Sequence, residues 1–319
     1  MTLDLAVIVL NYRTPDLVRD CLATLEAEIE PGIAVVVVDN ASGDGSSDAV
    51  ARLIAERGWS DWASVLRAPT NRGFAAGNNI GIRAVNALAY VLLNSDTLVR
   101  PGALRALRKG MERHPRAGII GAGMLTASGS HDACAFRFIA PATELLRAAN
   151  TGPLSRLLRR FHPLVPVTDV PIEVDWVGFA CALIRREVID AIGLLDEGYF
   201  MYFEDVDYCR RAREAGWTVL HWPEAKVVHL QGASSGVTAE HSKRRRRAPR
   251  YYYEARARYF AKHYGYAGLW LANALWYSGR AISISREALG RPPVLREREA
   301  IDIWIAAADP LGRRRQGGG

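Results

Sequence analysis

The segment YVLLNSDTLVR, residues 90–100, opens with a short apolar run, Tyr90–Leu93, of the kind that forms a buried strand in a parallel sheet. The run stops at Asn94-Ser95-Asp96, and Pro101-Gly102 then introduces a helical stretch from Ala103 to Met111. A carboxylate at the carboxyl end of such a strand faces the crevice where open α/β sheets bind ligands, although a lone Asp there also serves as a turn former or helix cap. Whether Asp96 is a ligand or a cap depends on what surrounds it.

Upstream, strand and helix signals alternate. Leu5–Leu10 reads as a strand, Pro15 starts a helix to about Ala27, and Ala34–Val38 is a β-branched strand. DNASGDGSSD is a loop rich in helix-cap residues, followed by a helix to about Arg57, a strand near Ser64–Leu66 and a helix over 76–88. This βαβαβαβ order predicts a doubly wound parallel sheet. It is not a dinucleotide fold: the first strand ends in Asn11-Tyr12-Arg13-Thr14-Pro15, without the glycines that let backbone approach a pyrophosphate. Beyond Met111, Gly118–Met124 predicts a strand and Pro141–Arg160 a basic helical stretch. Val174–Ile184 predicts one core strand, Arg185–Ile192 a helix, and Glu204-Asp205-Val206-Asp207 the start of a helix to Ala215 that Asp205 would cap. Trp217–Leu220 and Lys226–His229 read as two strands.

Composition sets outer bounds. The 319 residues suffice for one large or two smaller domains, and no apolar run approaches the ~20 residues of a membrane span. The opening MTLDLAVIVLNYRTP reads as a first strand rather than a signal peptide. Cys21, Cys134, Cys181 and Cys209 lack paired spacing and are expected to be reduced, mostly buried thiols of a cytoplasmic protein. The net charge of +7 is uneven: residues 243–319 hold 17 Lys/Arg against 6 Asp/Glu, the rest 24 against 28. A basic tail of this kind seeks phosphate on nucleic acid or a membrane surface.

The ordered motifs VIVLNYRTPDLVRDCLATL, VVVVDNASGDGS, NRGFAAGNNIGI, YVLLNSDTLV, WVGFACALIRREV and YFMYFEDVDYCRRAREAGW, spanning about residues 4 to 265, resemble the inverting glycosyltransferases of family 2, and among them the rhamnosyltransferase-like members. The resemblance implies a GT-A fold: an α/β, Rossmann-like nucleotide-binding half (1–112) fused to an acceptor-binding half (113–242) around a mixed sheet, with a helical C-terminal extension (243–319). It implies a nucleotide-diphosphate sugar donor, dTDP-rhamnose foremost and a UDP-hexose or UDP-galactofuranose next, and a glycan or lipid-linked acceptor of the cell envelope. Asp39 would bind the pyrimidine, with Asn11, Tyr12 and Arg13 enclosing base and ribose. Asn71, Gly73, Phe74, Gly77 and Asn78 would form the loop near the sugar nucleotide, Trp176 and Gly178 would line the sugar pocket, and Asn94-Ser95-Asp96 would stand where the family has D-x-D. Asp96 and His229 would hold Mg²⁺ or Mn²⁺, hard ions that suit oxygen-rich sites; Asn94 in place of the first carboxylate weakens that site. Asp205 would be the general base, with Glu204 contacting the acceptor.

In the C-terminal part, Lys243–Arg247, Arg250, Tyr251–Tyr253, Arg256 and Arg258 interleave Arg with Tyr. Such a pattern can grip single-stranded nucleic acid, and a non-catalytic anionic-surface binder on this scaffold is the alternative class. The following GLWLANALWYSGRAISISREAL (268–289) suits a helix at a lipid interface, on the catalytic part, or on a second copy. Peripheral contact with the inner face of an anionic membrane through 243–289, without nucleic acid, is the expectation.

Overall fold

The computed structural model of the chain describes residues 2–230, 247–290 and 296–312. In chain order its elements are β1 Leu3–Asn11, α1 Pro15–Leu25, β2 Ile33–Asp39, α2 Ser46–Glu56, β3 Ala63–Arg67, α3 Phe74–Ala84, β4 Ala87–Asn94, β5 Thr97–Val99 and α4 Ala103–Arg113. Then come β6 Ala117–Leu125, β7 Ala135–Phe136, α5 Pro141–Ala149, α6 Gly152–Leu157, β8 Ile172–Val174, β9 Trp176–Val177, β10 Cys181–Arg185, α7 Arg186–Ile192, α8 Glu204–Glu214, β11 Thr218–His229, α9 Arg250–Ala288 and α10 Glu299–Asp302.

The main sheet has the order β3-β2-β1-β4-β10-β6-β11-β5, with β8 alongside β11. β3, β2, β1 and β4 are parallel, as the alternation predicts, because each pair is joined by a helix crossover. β10 then enters antiparallel between β4 and β6, making the sheet mixed and carrying it without a break from the first half of the chain into the second. Leu5, Val7 and Val9 face one core layer and Ala6 and Ile8 the other, so β1 is apolar on both sides, as a central covered strand must be. α3 lies unusually close to β1. A Cβ on Gly77 would stand 2.3 Å from a Leu10 methyl, and one on Gly81 2.5 Å from Ile8.

Three expectations need correction. Val174–Ile184 is not one strand: β8 pairs with β11, β9 with β7, and β10 with β4 and β6, with Asp175 and Gly178–Ala180 breaking the run. Conversely, the expected strands Trp217–Leu220 and Lys226–His229 fall, from Thr218 on, in one strand, β11, whose register with β6 shifts between Trp222 and Lys226, where Pro223 cannot donate to the ladder. Finally, Asp205 does not cap α8. The cap position is Phe203, and Asp205 is the second helical residue.

Among the described residues no helix is long and apolar enough to cross a membrane. α9 is broken at Gly265 (φ 69°, ψ 176°) into two helices. The first packs through Ala255, Tyr259 and Phe260 on Tyr199, Phe203 and Val206. The second lies on α5, so close that a Cβ on Gly279 would stand 2.5 Å from the Leu145 carbonyl. Buried Arg256 bridges the two packings, donating to Asn273 at 2.8 Å and Glu144 at 3.1 Å. α9 therefore spends one face on the catalytic part. Lys243–Arg246 and the expected boundary at residue 242 lie outside the described residues, and Arg247 pairs with Asp302 at 2.7 Å.

Candidate active site

The Asn94–Asp96 turn is built by three strands. β4 ends at Asn94, Ser95 and Asp96 make the reversal, and β5 leaves from Thr97, whose hydroxyl donates to the Asn94 carbonyl at 2.6 Å. β5 pairs antiparallel with the end of β11, setting His229 opposite Thr97, and the Leu230 N–H donates to the Asp96 carbonyl at 2.9 Å. His229 Nε2 consequently lies 3.3 Å from Asp96 Oδ1. Asp96 is almost fully buried, an environment in which a carboxylate needs a compensating cation or hydrogen bonds. Two ligands at right angles on an octahedral ion with bonds near 2.1 Å are about 3 Å apart, so the spacing of this carboxylate–imidazole pair is compatible with a divalent cation, although among the described residues no third His, Cys, Asp or Glu joins the two. Asn94 adds a neutral acceptor only.

On the neighbouring strand ends, Asn11 Nδ2 donates to Asp39 Oδ1 at 2.7 Å, and the Ser42 hydroxyl donates to the same oxygen at 2.6 Å. The Ser42 N–H donates to Asp39 Oδ2 at 3.1 Å, leaving that oxygen capacity for one further donor. Asp39 thus closes its own turn and can still accept from a ligand. Arg13, with φ 59°, donates from Nε to the Ser42 carbonyl at 3.0 Å, and its guanidinium lies 5.1 Å from the half-exposed Tyr12 ring. Asn11, Tyr12, Arg13, Asp39 and Ser42 are one structural unit. Thr14 links it to the Asp96 turn through a 3.3 Å contact between its hydroxyl and that of Ser95.

In the Asn71–Asn78 loop the glycines serve packing within the protein. Gly73 (φ 90°, ψ −174°) is pressed on Phe200, whose carbonyl accepts from the Phe74 N–H at 2.6 Å. Gly77 is pressed on Leu10. These glycines permit close approach of protein to protein. Asn71 accepts from the Gly73 N–H at 3.0 Å and from Asn40 Nδ2 at 2.9 Å, and buried Asn78 donates to the Phe74 carbonyl at 3.0 Å. Asn40 is a site residue the motifs did not single out: its side chain ties the Asp39 turn to this loop, while its Oδ1 is buried without a hydrogen-bond partner among the described residues.

Glu204 and Asp205 begin α8 directly after Tyr202 (φ 71°) and Phe203 (φ 66°), two successive non-glycine residues in the left-handed region. Such strain persists only where packing over-determines it. Here Tyr202 and Phe203 are held among Tyr251, Tyr252 and Tyr259 of α9. Asp207, buried one turn into α8, accepts from Tyr199, Arg211, Lys262 and His263, at 3.2, 3.0, 2.7 and 2.8 Å. Burial alone would raise its pKa, but the His263 hydrogen bond and the Lys262 and Arg211 charges outweigh it and hold the carboxyl well below the ordinary range. The stability Asp207 contributes is therefore complete at neutral pH and lost as pH falls below about 4. Asp207→Asn should cost about 3–5 kcal/mol, because it strips a buried cluster of its counter-charge. Urea denaturation at pH 7 and at about pH 3 checks this; the gap from wild type should narrow at the lower pH.

Burial raises Glu204 well above the usual carboxylate range, and the neighbouring Asp205 charge adds to it. Its Oε2 has no hydrogen-bond partner among the described residues. Asp205, half-buried, is pushed up to about 6 by burial, against the N–H groups of Val206, Asp205 itself and Phe179, which favour its ionised form. The pair titrates together, with Asp205 the member stabilised as the anion. The segment at Phe179 also reaches the Asp96 turn, since the Ala180 carbonyl accepts from the Asn94 N–H at 2.9 Å. One short segment, Gly178–Ala180, thereby spans between the two acidic sites. Trp176 is anchored beside it, stacked on Phe136 at 4.2 Å and donating from Nε1 to the Arg137 carbonyl at 2.9 Å. A Cβ on Gly178 would meet open space.

A parallel β3-β2-β1-β4 array continued by β10, β6 and β11 into one mixed sheet, with acidic groups gathered at its strand ends, is the architecture of a GT-A glycosyltransferase. Residues 4–248 match the model for "Glycosyltransferase like family 2", and the chain belongs to that family. It is 29% identical over 258 residues to the N-acetylglucosaminyl-diphospho-decaprenol L-rhamnosyltransferase of Mycobacterium tuberculosis, covering 74% of this chain and 79% of the relative. It is 26% identical over 234 residues to the low-salt glycan biosynthesis hexosyltransferase Agl10 of Haloferax volcanii, covering 72% and 67%. Among solved structures, the Pyrobaculum calidifontis mannosyltransferase PcManGT, in complex with GDP-Man and Mn²⁺, superposes with a TM-score of 0.56 at 17% identity, covering 92% of this chain and 78% of that one. TarS 1–349 of S. aureus with UDP superposes at 0.51 and 15%, covering 86% and 65%.

Proposed function

We propose that the chain is an inverting transferase that moves rhamnose from dTDP-rhamnose to a hydroxyl of a lipid-linked or other cell-envelope glycan. The observation that carries the reading is the Gly178–Ala180 bridge between Asp205, a carboxylate poised near neutrality, and the Asp96–His229 pair. In this reading Asp205 accepts the proton of the acceptor hydroxyl as that oxygen bonds to the anomeric carbon. The bond from that carbon to the nucleoside diphosphate breaks in the same displacement, on the opposite face. Glu204, holding its proton, donates to an acceptor oxygen. Asp39, with Asn11, Tyr12 and Arg13, holds the base and ribose. Asp96 and His229 would hold Mg²⁺ or Mn²⁺, which would offset charge on the diphosphate. The Mycobacterium relative supports the rhamnosyl donor and lipid-linked acceptor. The Haloferax relative, a hexosyltransferase, supports transfer of a hexose as the second reading, for which we take a UDP-hexose or UDP-galactofuranose as the donor.

A panel of nucleotide sugars tested by thermal unfolding with Mn²⁺ separates these readings, because a ligand that binds the folded state raises its melting temperature. The largest rise is expected with dTDP-rhamnose; a larger rise with a UDP-sugar selects the second reading, and no rise with any donor overturns both. Asp96→Ala and His229→Ala should each weaken Mn²⁺-supported dTDP binding by about 10–100-fold. Unchanged titration by both variants removes the metal role.

A further inference from the structure

The second helix of α9 has a face unlike the rest of the surface. From Tyr266 to Leu289 every exposed position carries an apolar, aromatic or serine side chain, and none carries a charge. Trp270 is 60% exposed, Leu271 52%, Ile284 51% and Leu289 84%. At 1.5 Å per residue this face runs about 35 Å along the helix. The helix's charged groups are turned to its flanks: Arg280 pairs with Glu287 at 2.6 Å, and Arg286 donates to the Ala149 and Asn150 carbonyls at 3.0 and 2.6 Å. The C-terminal segment widens the face. Trp304 Nε1 donates to the Tyr277 hydroxyl at 3.1 Å, leaving Trp304 and the neighbouring Ile301 exposed beside it.

We infer that this face docks on an anionic lipid surface. Exposed Trp and Tyr with polar tips suit the boundary between acyl chains and water. The charge pattern at one end is complementary to acidic head groups. Arg286 reaches the residues just before α6, and there Arg156, Arg159 and Arg160 are exposed without a carboxylate partner among the described residues, around a Leu157 that is 79% exposed. An anionic bilayer matches both the apolar face and this basic cluster, whereas a second copy of the chain matches only the apolar face. The first helix of α9 holds the strained Tyr202–Phe203 entry to Asp205, and the second presents the docking face. The helix that packs against the entry to Asp205 is thus joined, across the break at Gly265, to the helix that would lie on the membrane, a suitable arrangement for a hydroxyl carried on a lipid. The inference stands apart from the donor chemistry.

The test is co-sedimentation of the full chain with vesicles of phosphatidylglycerol and phosphatidylcholine, and with phosphatidylcholine alone. Wild type is expected to bind the anionic vesicles about tenfold better than the neutral ones, the gap closing at high salt. Trp270→Glu with Leu271→Glu should cut anionic binding at least about tenfold, and Arg156→Glu with Arg159→Glu several-fold. Thermal unfolding with dTDP and Mn²⁺ is measured on each variant; if the α9 pair fails to fold, Leu289→Glu, at the most exposed site, takes its place. Vesicle binding unchanged by these substitutions, or absent in wild type, overturns the inference. So does a concentration-dependent dimer in light scattering that Trp270→Glu abolishes while vesicles are ignored. A chain that binds dTDP but no vesicles sinks the docking face alone, and one that binds vesicles but no nucleotide sinks the donor reading alone.

Discussion

Asp205→Asn is expected to slow transfer by about 10³-fold while leaving nucleotide affinity within about twofold, because the substitution removes a proton acceptor without altering side-chain shape. The wild-type pH profile should show the same group. With the carboxyl pushed up to about 6 by burial, kcat/KM should fall as pH drops through 6, and the residual activity of Asp205→Asn should lack that limb. Stability should move the other way. A carboxyl with a raised folded-state pKa favours the protonated form, so folding loses free energy as pH rises from about 4 to 6 and stays at the lower level above it. The neutral amide avoids that loss, and Asp205→Asn should be more stable than wild type at pH 7, by about 1–2 kcal/mol after allowing for partial exposure. A more stable protein with little transfer is what a catalytic carboxylate leaves behind; a structural one would leave an unstable protein. Wild-type rates from Asp205→Asn would refute the base assignment.

The parts that were legible in sequence are those where one local pattern had one physical meaning. β-branched and apolar runs separated by helix-length segments define the parallel half, whereas a carboxylate after a buried run leaves Asp96 open as either a ligand or a cap. The meeting of His229 with Asp96 was readable only as family resemblance, because it depends on β11 continuing through Pro223 to pair with β5. Asp207 was visible as one acid among three, but its meaning lies in Lys262 and His263, more than fifty residues further on. The glycines show a different limit. Positive φ and the absence of a Cβ permit close approach, but they do not say what approaches. The resemblance places Gly73 and Gly77 in a loop near the sugar nucleotide; in the fold a Cβ on each would meet Phe200 and Leu10. Likewise an uncharged helical stretch, 268–289, could cover protein or lipid, and α9 does the first with one face and leaves the other open.

Gly73→Ala should destabilise the fold by more than about 3 kcal/mol, from two costs that add at one atom. The backbone at φ 90°, ψ −174° lies in a region essentially reserved for glycine, a strain of about 1–3 kcal/mol for any other residue. The new Cβ would also stand 1.9 Å from the Phe200 carbonyl oxygen and 2.5 Å from its carbon, both backbone atoms that no rotamer change can move aside. The control is Gly43→Ala, also at positive φ (67°) but with nothing within 4 Å of the added Cβ, which should cost only about 1–2 kcal/mol. Urea denaturation of the two variants separates strain from collision, and equal losses would show that the Phe200 contact contributes nothing. The collision matters beyond stability, since the Phe74 N–H to Phe200 carbonyl bond fixes the segment that runs into Tyr202, Phe203 and the Glu204–Asp205 pair. Any Gly73→Ala protein that still folds must move Phe200 away, so on the proposed roles it should lose transfer rate more than nucleotide affinity: the Asp39 turn stays on β2, while Asp205, the proposed base, is displaced from it.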